Sequence, residues 1–109
     1  MSFNLRALQG ILIAGEQGRD DVLSGKKQIT IRQGYRDYSN GPTLIGCHIL
    51  NWATLKQITS VHYALFKNIT LKELQDDGFQ NHDEALDRLH RWYPDLTIDS
   101  EMTVIRWSD

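Results

Sequence analysis

The stretch 25–34, GKKQITIRQG, contains a short strand that follows closely on a glycine. Ile29 and Ile31 alternate with Thr30 and Arg32, so one face of this strand is apolar and the other is polar. A solvated edge strand is one interpretation, since edge strands often carry basic side chains. The other interpretation is a polar face that lines a pocket for a ligand that is anionic or rich in hydrogen-bond acceptors.

The rest of the chain predicts about five strands and two or three short helices. Strands are expected near 8–15, 29–33, 43–53, 56–69 and 101–107, and helices near 16–25, 71–79 and 81–93. The order shows no regular βαβ alternation. It therefore predicts an α+β fold, a small, curved, mainly antiparallel β-barrel with the helices packed at its open side.

Several positions carry more specific structural predictions. Thr70 and Asn81 are expected to cap helices, and Pro94 is expected to end the last one. Gly46 indicates a bulge or a close approach of two backbones. The apolar stripe of the last helix is predicted to consist of Ala85, Leu86, Leu89 and Trp92.

Length and charge limit the function. The chain has 109 residues, which predicts a single domain over 1–109. The formal net charge is −2, whereas proteins that coat nucleic acids are usually strongly basic. Any binding of RNA or nucleotides must therefore depend on a few clustered Lys and Arg residues.

Metal sites, cofactors and membrane segments are not expected. Cys47 is the only cysteine, which excludes an intrachain disulfide, and the four histidines have no metal-ligand spacing. The apolar stretch 7–15 is too short to span a bilayer and lacks the basic start of a signal peptide. Cytoplasmic localisation is the resulting expectation.

Four motifs in their order resemble the ASCH domain, a family of the PUA-like superfamily. They are GKKQITIR, NGPTLIG, LQDDGFQNHDEALDRLHRWYP and MTVIRW, and the similarity extends from about Leu8 to Trp107. The family pattern G-x-K-x-x-T-x-R is matched by Gly25, Lys27, Thr30 and Arg32. A second pattern, an acidic, a small and an aromatic residue before the last helix, is matched by Asp77, Gly78 and Phe79.

In size and in its ITIR strand, the chain looks most similar to the small bacterial N(4)-acetylcytidine amidohydrolase branch of this family. The resemblance implies that Lys27 and Thr30 are catalytic, and that Asp77 stands where the branch has glutamate. Asp76 and Glu73 are alternative counterparts of that glutamate. Other members of the wider family look like RNA-binding modules, and some cut RNA.

An amidase of this kind needs a nucleophile, a base and a group that stabilises an oxyanion. Thr30 can supply the hydroxyl and a neutral Lys27 can take its proton, although an ordinary lysine has a pKa of ~10.4. The alternative is a charged Lys27 that pairs with Asp77. Since Lys27 and Thr30 are three residues apart, they converge only if the chain turns after Gly25.

Two classes of function follow. In the first, a hydrolase takes a modified cytidine, and Arg32 holds the substrate or the oxyanion. In the second, a module without amidase activity binds RNA or a nucleotide, with Lys26 and Arg32 on phosphate. In both, Tyr35 and Tyr38 are candidates for stacking on a base. The expected partner is a modified nucleoside or RNA, and no obligate protein partner is inferred.

Overall fold

The computed structural model describes residues 9–109. The strands are β1 Gln9–Leu12, β2 Ile29–Gln33, β3 Gly41–Cys47, β4 Trp52–Leu65 and β5 Glu101–Ser108. The helices are α1 Glu16–Leu23, α2 Leu71–Asp76 and α3 His82–Leu89, and a 3-10 turn, Phe66–Asn68, follows β4. The described part of the chain contains no helix long and apolar enough to cross a membrane.

The five strands form one curled, mixed sheet in the order β1-β3-β4-β5-β2. β1 pairs with β3 in parallel, and the other three pairings are antiparallel. The curl brings the two edge strands, β1 and β2, close enough for a side chain of β2 to bond the backbone of β1. The predicted α+β fold with a small, curved, mainly antiparallel sheet is confirmed.

Apolar side chains cover both faces of the sheet. On one face, helices α2 and α3 contribute Leu74, Ala85 and Leu89 to a cluster that also contains Met102 and Val104 of β5. The other face carries a second cluster, whose members include Ile11, Val22, Ile45, Ile58, Ile105 and Trp107. Strand β5 is buried on both sides, which explains why its sequence, EMTVIRWS, lacks a clean polar face.

The predicted helix caps are confirmed. The Thr70 hydroxyl accepts from the backbone N–H of Glu73, whose carboxylate accepts in return from the backbone N–H of Thr70. Asn81 accepts from the backbone N–H of Glu84 in the same position of α3. Gly25, with φ at +82°, lies just beyond α1 and lets the chain turn back towards β2.

The predicted strand at 43–53 is two strands. β3 ends at Cys47 and β4 begins at Trp52, with a turn over 48–51 between them. Asn51 has φ at +54°, and asparagine tolerates this left-handed conformation better than most residues. Gly46 lies opposite Ala53, where a Cβ would meet the Trp52 carbonyl oxygen at 2.4 Å, so the predicted close backbone approach is confirmed.

The last helix is shorter than its sequence pattern predicts. α3 ends at Leu89, well before Pro94, and the chain continues in turns. Trp92 therefore lies outside the helix and is 62% exposed, so its assignment to the apolar stripe was wrong. Tyr93 packs against the core instead.

Candidate functional site

The free edge of β2 is the starting point of the candidate site. The Gln28 carbonyl accepts from the Trp107 N–H of β5, and the Gly34 N–H donates to the Glu101 carbonyl. Since backbone groups alternate between the two sides of a strand, the Ile31 N–H points away from β5. It faces the carboxyl group of Asp77, the residue directly after α2.

Lys27 and Asp77 form an ion pair at this edge through the Lys27 ammonium and Asp77 Oδ1. The side chains are only 19% and 7% exposed. The turn after Gly25 directs Lys27 here, because the Lys27 N–H bonds the Asp21 carbonyl of α1. Direct pairing of Lys27 with Asp77 is the second of the two arrangements that the sequence allows.

Burial dominates the titration of Asp77. Loss of water raises the pKa of this carboxyl, whereas the Lys27 ammonium, the Ile31 N–H and the Arg32 guanidinium lower it. The balance is a pKa above the ordinary value. A buried carboxyl with a raised pKa beside a cation is typical of functional sites, although structural ion pairs produce it as well.

Arg32 bonds Thr30 and acts on Asp77 through its charge. Its Nε donates to Thr30 Oγ1 at 3.0 Å, and its Nη2 donates to the Leu12 carbonyl of β1. Thr30 is 5% exposed and faces the second cluster from the edge of the sheet. The guanidinium has five N–H donors, of which the bonds within residues 9–109 use two.

The other two acidic candidates of α2 have different partners. Asp76 accepts from Arg106 of β5 at 2.9 Å and from Lys72 at 3.2 Å. Glu73 belongs to the capping box and also contacts His62 of β4. Asp77, directly after α2, is therefore the candidate carboxylate that the fold places against Lys27.

The predicted base-stacking tyrosines have separate environments. Tyr38 is half-buried, and its hydroxyl donates to the Gly10 carbonyl of β1 at 2.6 Å, which uses its polar group within the fold. Tyr35 is 67% exposed and stacks on Tyr63 of β4, with ring centroids 4.6 Å apart. Lys26 is exposed to solvent next to the ion pair.

A groove of about 290 Å³ lies at the opposite end of β2 from Lys27. Its lining includes Gly34, Tyr35, Tyr63, Leu65, Glu101 and Met102. This groove does not contain the ion pair. We place the candidate catalytic site at the ion pair because a lysine and a carboxylate are buried together there, and Arg32 acts electrostatically on that carboxylate. Tyr63 and Glu101 carry no local sequence signal for this groove, since their position depends on how β4 and β5 align.

Metal-binding side chains do not cluster in residues 9–109. No group of three or more His, Cys, Asp or Glu side chains there is arranged to hold an ion.

Two solved structures have similar folds. The ASCH domain from Lactobacillus crispatus JV V101 has a TM-score of 0.62 and 12% identity over 92% of this chain and 79% of that chain. The protein EF3133 from Enterococcus faecalis V583, of family DUF984, has a TM-score of 0.65 and 11% identity over 91% and 74%. No protein-family model and no curated protein match the sequence.

These likenesses define the class of the fold, an ASCH-like α+β fold. At such low identity they establish the fold alone.

Proposed function

We propose that this protein is an ASCH-type hydrolase that cleaves the exocyclic amide of an N(4)-acylated cytidine. The observation that carries the proposal is the buried Lys27–Asp77 ion pair, with Arg32 beside it holding Thr30. Nucleosides and RNA are substrates of the cytoplasm, where we place the reaction.

The ion pair supplies the base of the proposed reaction, although Lys27 holds the shared proton while both groups are charged. The pair shares one proton, which lies on Lys27 when the two groups are charged and on Asp77 when they are neutral. Because burial raises the pKa of Asp77, the neutral form costs less here than it would in water. In that form the Lys27 amine can accept a proton.

Thr30 is the nucleophile in this scheme. Its hydroxyl accepts from Arg32, which leaves its own hydrogen available for donation. The scheme requires that the Lys27 amine receive this proton. The Thr30 oxygen attacks the acyl carbonyl carbon as the proton passes to Lys27, and Arg32 stabilises the oxyanion. Because Thr30 is 5% exposed, the substrate reaches it only after Arg32 releases the Leu12 carbonyl.

The remaining steps close the cycle without a metal or a cofactor. The C–N bond to the cytosine ring breaks, and the leaving nitrogen takes the proton from Lys27. Water then attacks the acyl ester on Thr30 and gives its proton to Lys27. Collapse of this second intermediate breaks the bond to the Thr30 oxygen, which takes the proton back from Lys27, so the carboxylic acid is released and the threonine hydroxyl is restored.

A second candidate is a binding module without amidase activity. It is favoured by the low exposure of Thr30 and by the direct pairing of Lys27 with Asp77, which leaves no free base at rest. In this role the exposed Lys26 and the Arg32 guanidinium bind phosphate, as part of RNA or of a nucleotide. Cleavage of RNA at the same site is a variant of this candidate.

The test is incubation of the purified protein with N(4)-acetylcytidine while cytidine release is followed. Thr30→Val and Lys27→Ala are expected to abolish release, since they remove the nucleophile and the base. Lys26→Ala is the matched control, because it removes a lysine that is adjacent in sequence but exposed. Circular dichroism establishes that each variant is folded.

Cytidine release that Lys26→Ala retains and the other two variants lose supports the hydrolase. Absence of release by the wild-type protein contradicts it for this substrate. RNA binding that depends on Arg32 would then favour the second candidate, and shortening of the bound RNA would assign cleavage to it.

A further inference from the structure

The groove at the far end of β2 has a fixed aromatic wall. Tyr35 lies in the loop after β2, and its ring stacks on Tyr63 at an interplanar angle of 26°. The loop is held from below by Thr103, which is fully buried and donates to the Gly34 carbonyl at 2.7 Å. Thr103 also accepts from the Arg36 N–H, and Tyr63 donates to the Arg36 carbonyl, both at 3.0 Å.

This anchoring matters for binding. An aromatic platform that is already ordered loses little entropy when a planar ligand stacks on it. Tyr35 remains 67% exposed despite its contact with Tyr63, so one of its faces is accessible from solvent.

The polar group in the groove is acidic. Glu101, the first residue of β5, lines it beside the buried Met102. Asp37 adds a second negative charge close enough to act on Tyr63. A carboxylate accepts hydrogen bonds from amino groups, and it repels phosphate and carbonyl oxygens.

We propose that this groove binds one unpaired base of single-stranded RNA, and that the base carries an exocyclic amino group, as cytosine and adenine do. The base stacks on the Tyr35–Tyr63 pair, and its amino group donates to Glu101. Uracil is disfavoured because it presents a carbonyl oxygen at the corresponding position.

The size of the groove agrees with a single base. Its volume of about 290 Å³ is close to the lower end for ligand pockets, roughly 300 Å³. The phosphates then lie outside it, away from Glu101. This inference rests on the proposed function only in assuming a nucleic-acid ligand. The base in this groove is a different one from the modified cytidine proposed to bind at Lys27.

The test is titration of the protein with short single-stranded oligonucleotides of cytidine, adenosine or uridine, followed by fluorescence anisotropy. Oligocytidine and oligoadenosine are expected to bind at least several-fold more tightly than oligouridine. Tyr35→Ala should weaken their binding about tenfold, because stacking on one aromatic side chain is of that order. Glu101→Gln should reduce the preference over oligouridine.

Two matched controls separate these effects from general surface changes. Trp92→Ala removes an equally exposed aromatic side chain from another part of the surface, and Glu16→Gln removes an exposed carboxylate of α1. Both should bind like the wild type. Circular dichroism verifies that each variant is folded. Tyr35 and Glu101 are exposed, so their substitution is not expected to disturb the fold.

Equal binding of oligocytidine and oligouridine, wild-type binding by Tyr35→Ala, or no binding of any oligonucleotide would overturn the inference. Lys27→Ala separates it from the proposed hydrolase, because that variant should lose cytidine release and keep the base preference. If the wild-type protein shows the base preference but releases no cytidine, the result contradicts the hydrolase proposal and supports the groove inference.

Discussion

Arg32 of β2 donates a hydrogen bond to the backbone carbonyl of Leu12 in β1, so a single side chain joins the two edges of the sheet. The same edge of β1 is capped by Tyr38, which bonds the Gly10 carbonyl. The polar face of β2 therefore both closes the curl and holds Thr30 for the proposed chemistry. Stability and activity should be coupled at Arg32.

Arg32→Lys is expected to lower the free energy of unfolding by about 2 kcal/mol, because hydrogen bonds from a charged group contribute roughly 1.5–3 kcal/mol. A lysine keeps the charge but lacks the planar fork that reaches Thr30 and Leu12 together. Urea denaturation measures the change. Arg91→Lys, at an exposed arginine, is the control and should stay within about 0.5 kcal/mol of the wild type. Equal stability of the two variants would contradict the bridging role.

The Lys27–Asp77 pair should show non-additive energetics. Lys27→Met or Asp77→Leu alone leaves a buried group without its partner, which costs about 3 kcal/mol in comparable pairs. The double variant Lys27→Met/Asp77→Leu removes both and should be more stable than either single variant.

Urea denaturation of the four proteins gives the coupling energy. Additive losses would show that the two side chains act independently, against the ion pair. Lys26→Met controls for loss of a lysine at the neighbouring exposed position. All variants that lack Lys27 or Asp77 should lose cytidine release. This includes the more stable double variant, since the proposed chemistry needs both groups.

Asp76 and Asp77 should make opposite contributions to the pH dependence of stability. Arg106 and Lys72 lower the pKa of Asp76, so its contribution is present above the unfolded pKa of ~3.9 and is lost as pH falls through the lower folded value. Burial raises the pKa of Asp77, so native Asp77 binds its proton more tightly than the unfolded chain does. Its contribution is complete below pH ~3.9 and is lost as pH rises through the folded pKa.

The measurement is urea denaturation of the wild type, Asp76→Asn and Asp77→Asn between about pH 3 and pH 7 at low salt. The stability difference between wild type and Asp76→Asn should grow with rising pH. The difference between wild type and Asp77→Asn should change in the opposite direction. The same slope for both variants would be inconsistent with the burial of Asp77.

The parts of the fold that the sequence predicted correctly depend on local chemistry. The alternation around Thr30 is visible in the strand itself, and the caps at Thr70 and Asn81 involve residues only three positions apart. The pairing of Lys27 with Asp77 spans 50 residues, and it was one of two alternatives, both of which depended on the family resemblance that brings these residues to one site.

The parts that were missed depend on non-local packing. Trp92 continues the helical spacing of α3, but the chain has already turned after Leu89. The stacking of Tyr35 on Tyr63 requires the loop after β2 to lie over β4, which no local pattern encodes. The hydrogen bond of the Tyr38 hydroxyl to the Gly10 carbonyl of β1 likewise joins segments that are 28 residues apart.

The close approach of β3 and β4 gives the last prediction. At Gly46 an added Cβ would lie 2.4 Å from the Trp52 carbonyl oxygen and 3.0 Å from Ala53 Cα. Backbone atoms cannot move aside as the end of a flexible side chain can, so Gly46→Ala should cost about 2 kcal/mol, as overpacking does. Gly10→Ala is the matched control, because it also adds one methyl group to a strand glycine but meets nothing within 4 Å.

Thermal and urea unfolding of the two variants provide the test. Gly10→Ala should unfold close to the wild type, and it can be slightly more stable because alanine restricts the unfolded chain. Gly46→Ala should unfold clearly earlier, and its loss should persist in an Arg32→Lys background, since the two sites involve different strand pairs. Equal stability of Gly46→Ala and Gly10→Ala would mean that β3 and β4 are farther apart at this point, and that the close approach does not limit the residue at position 46.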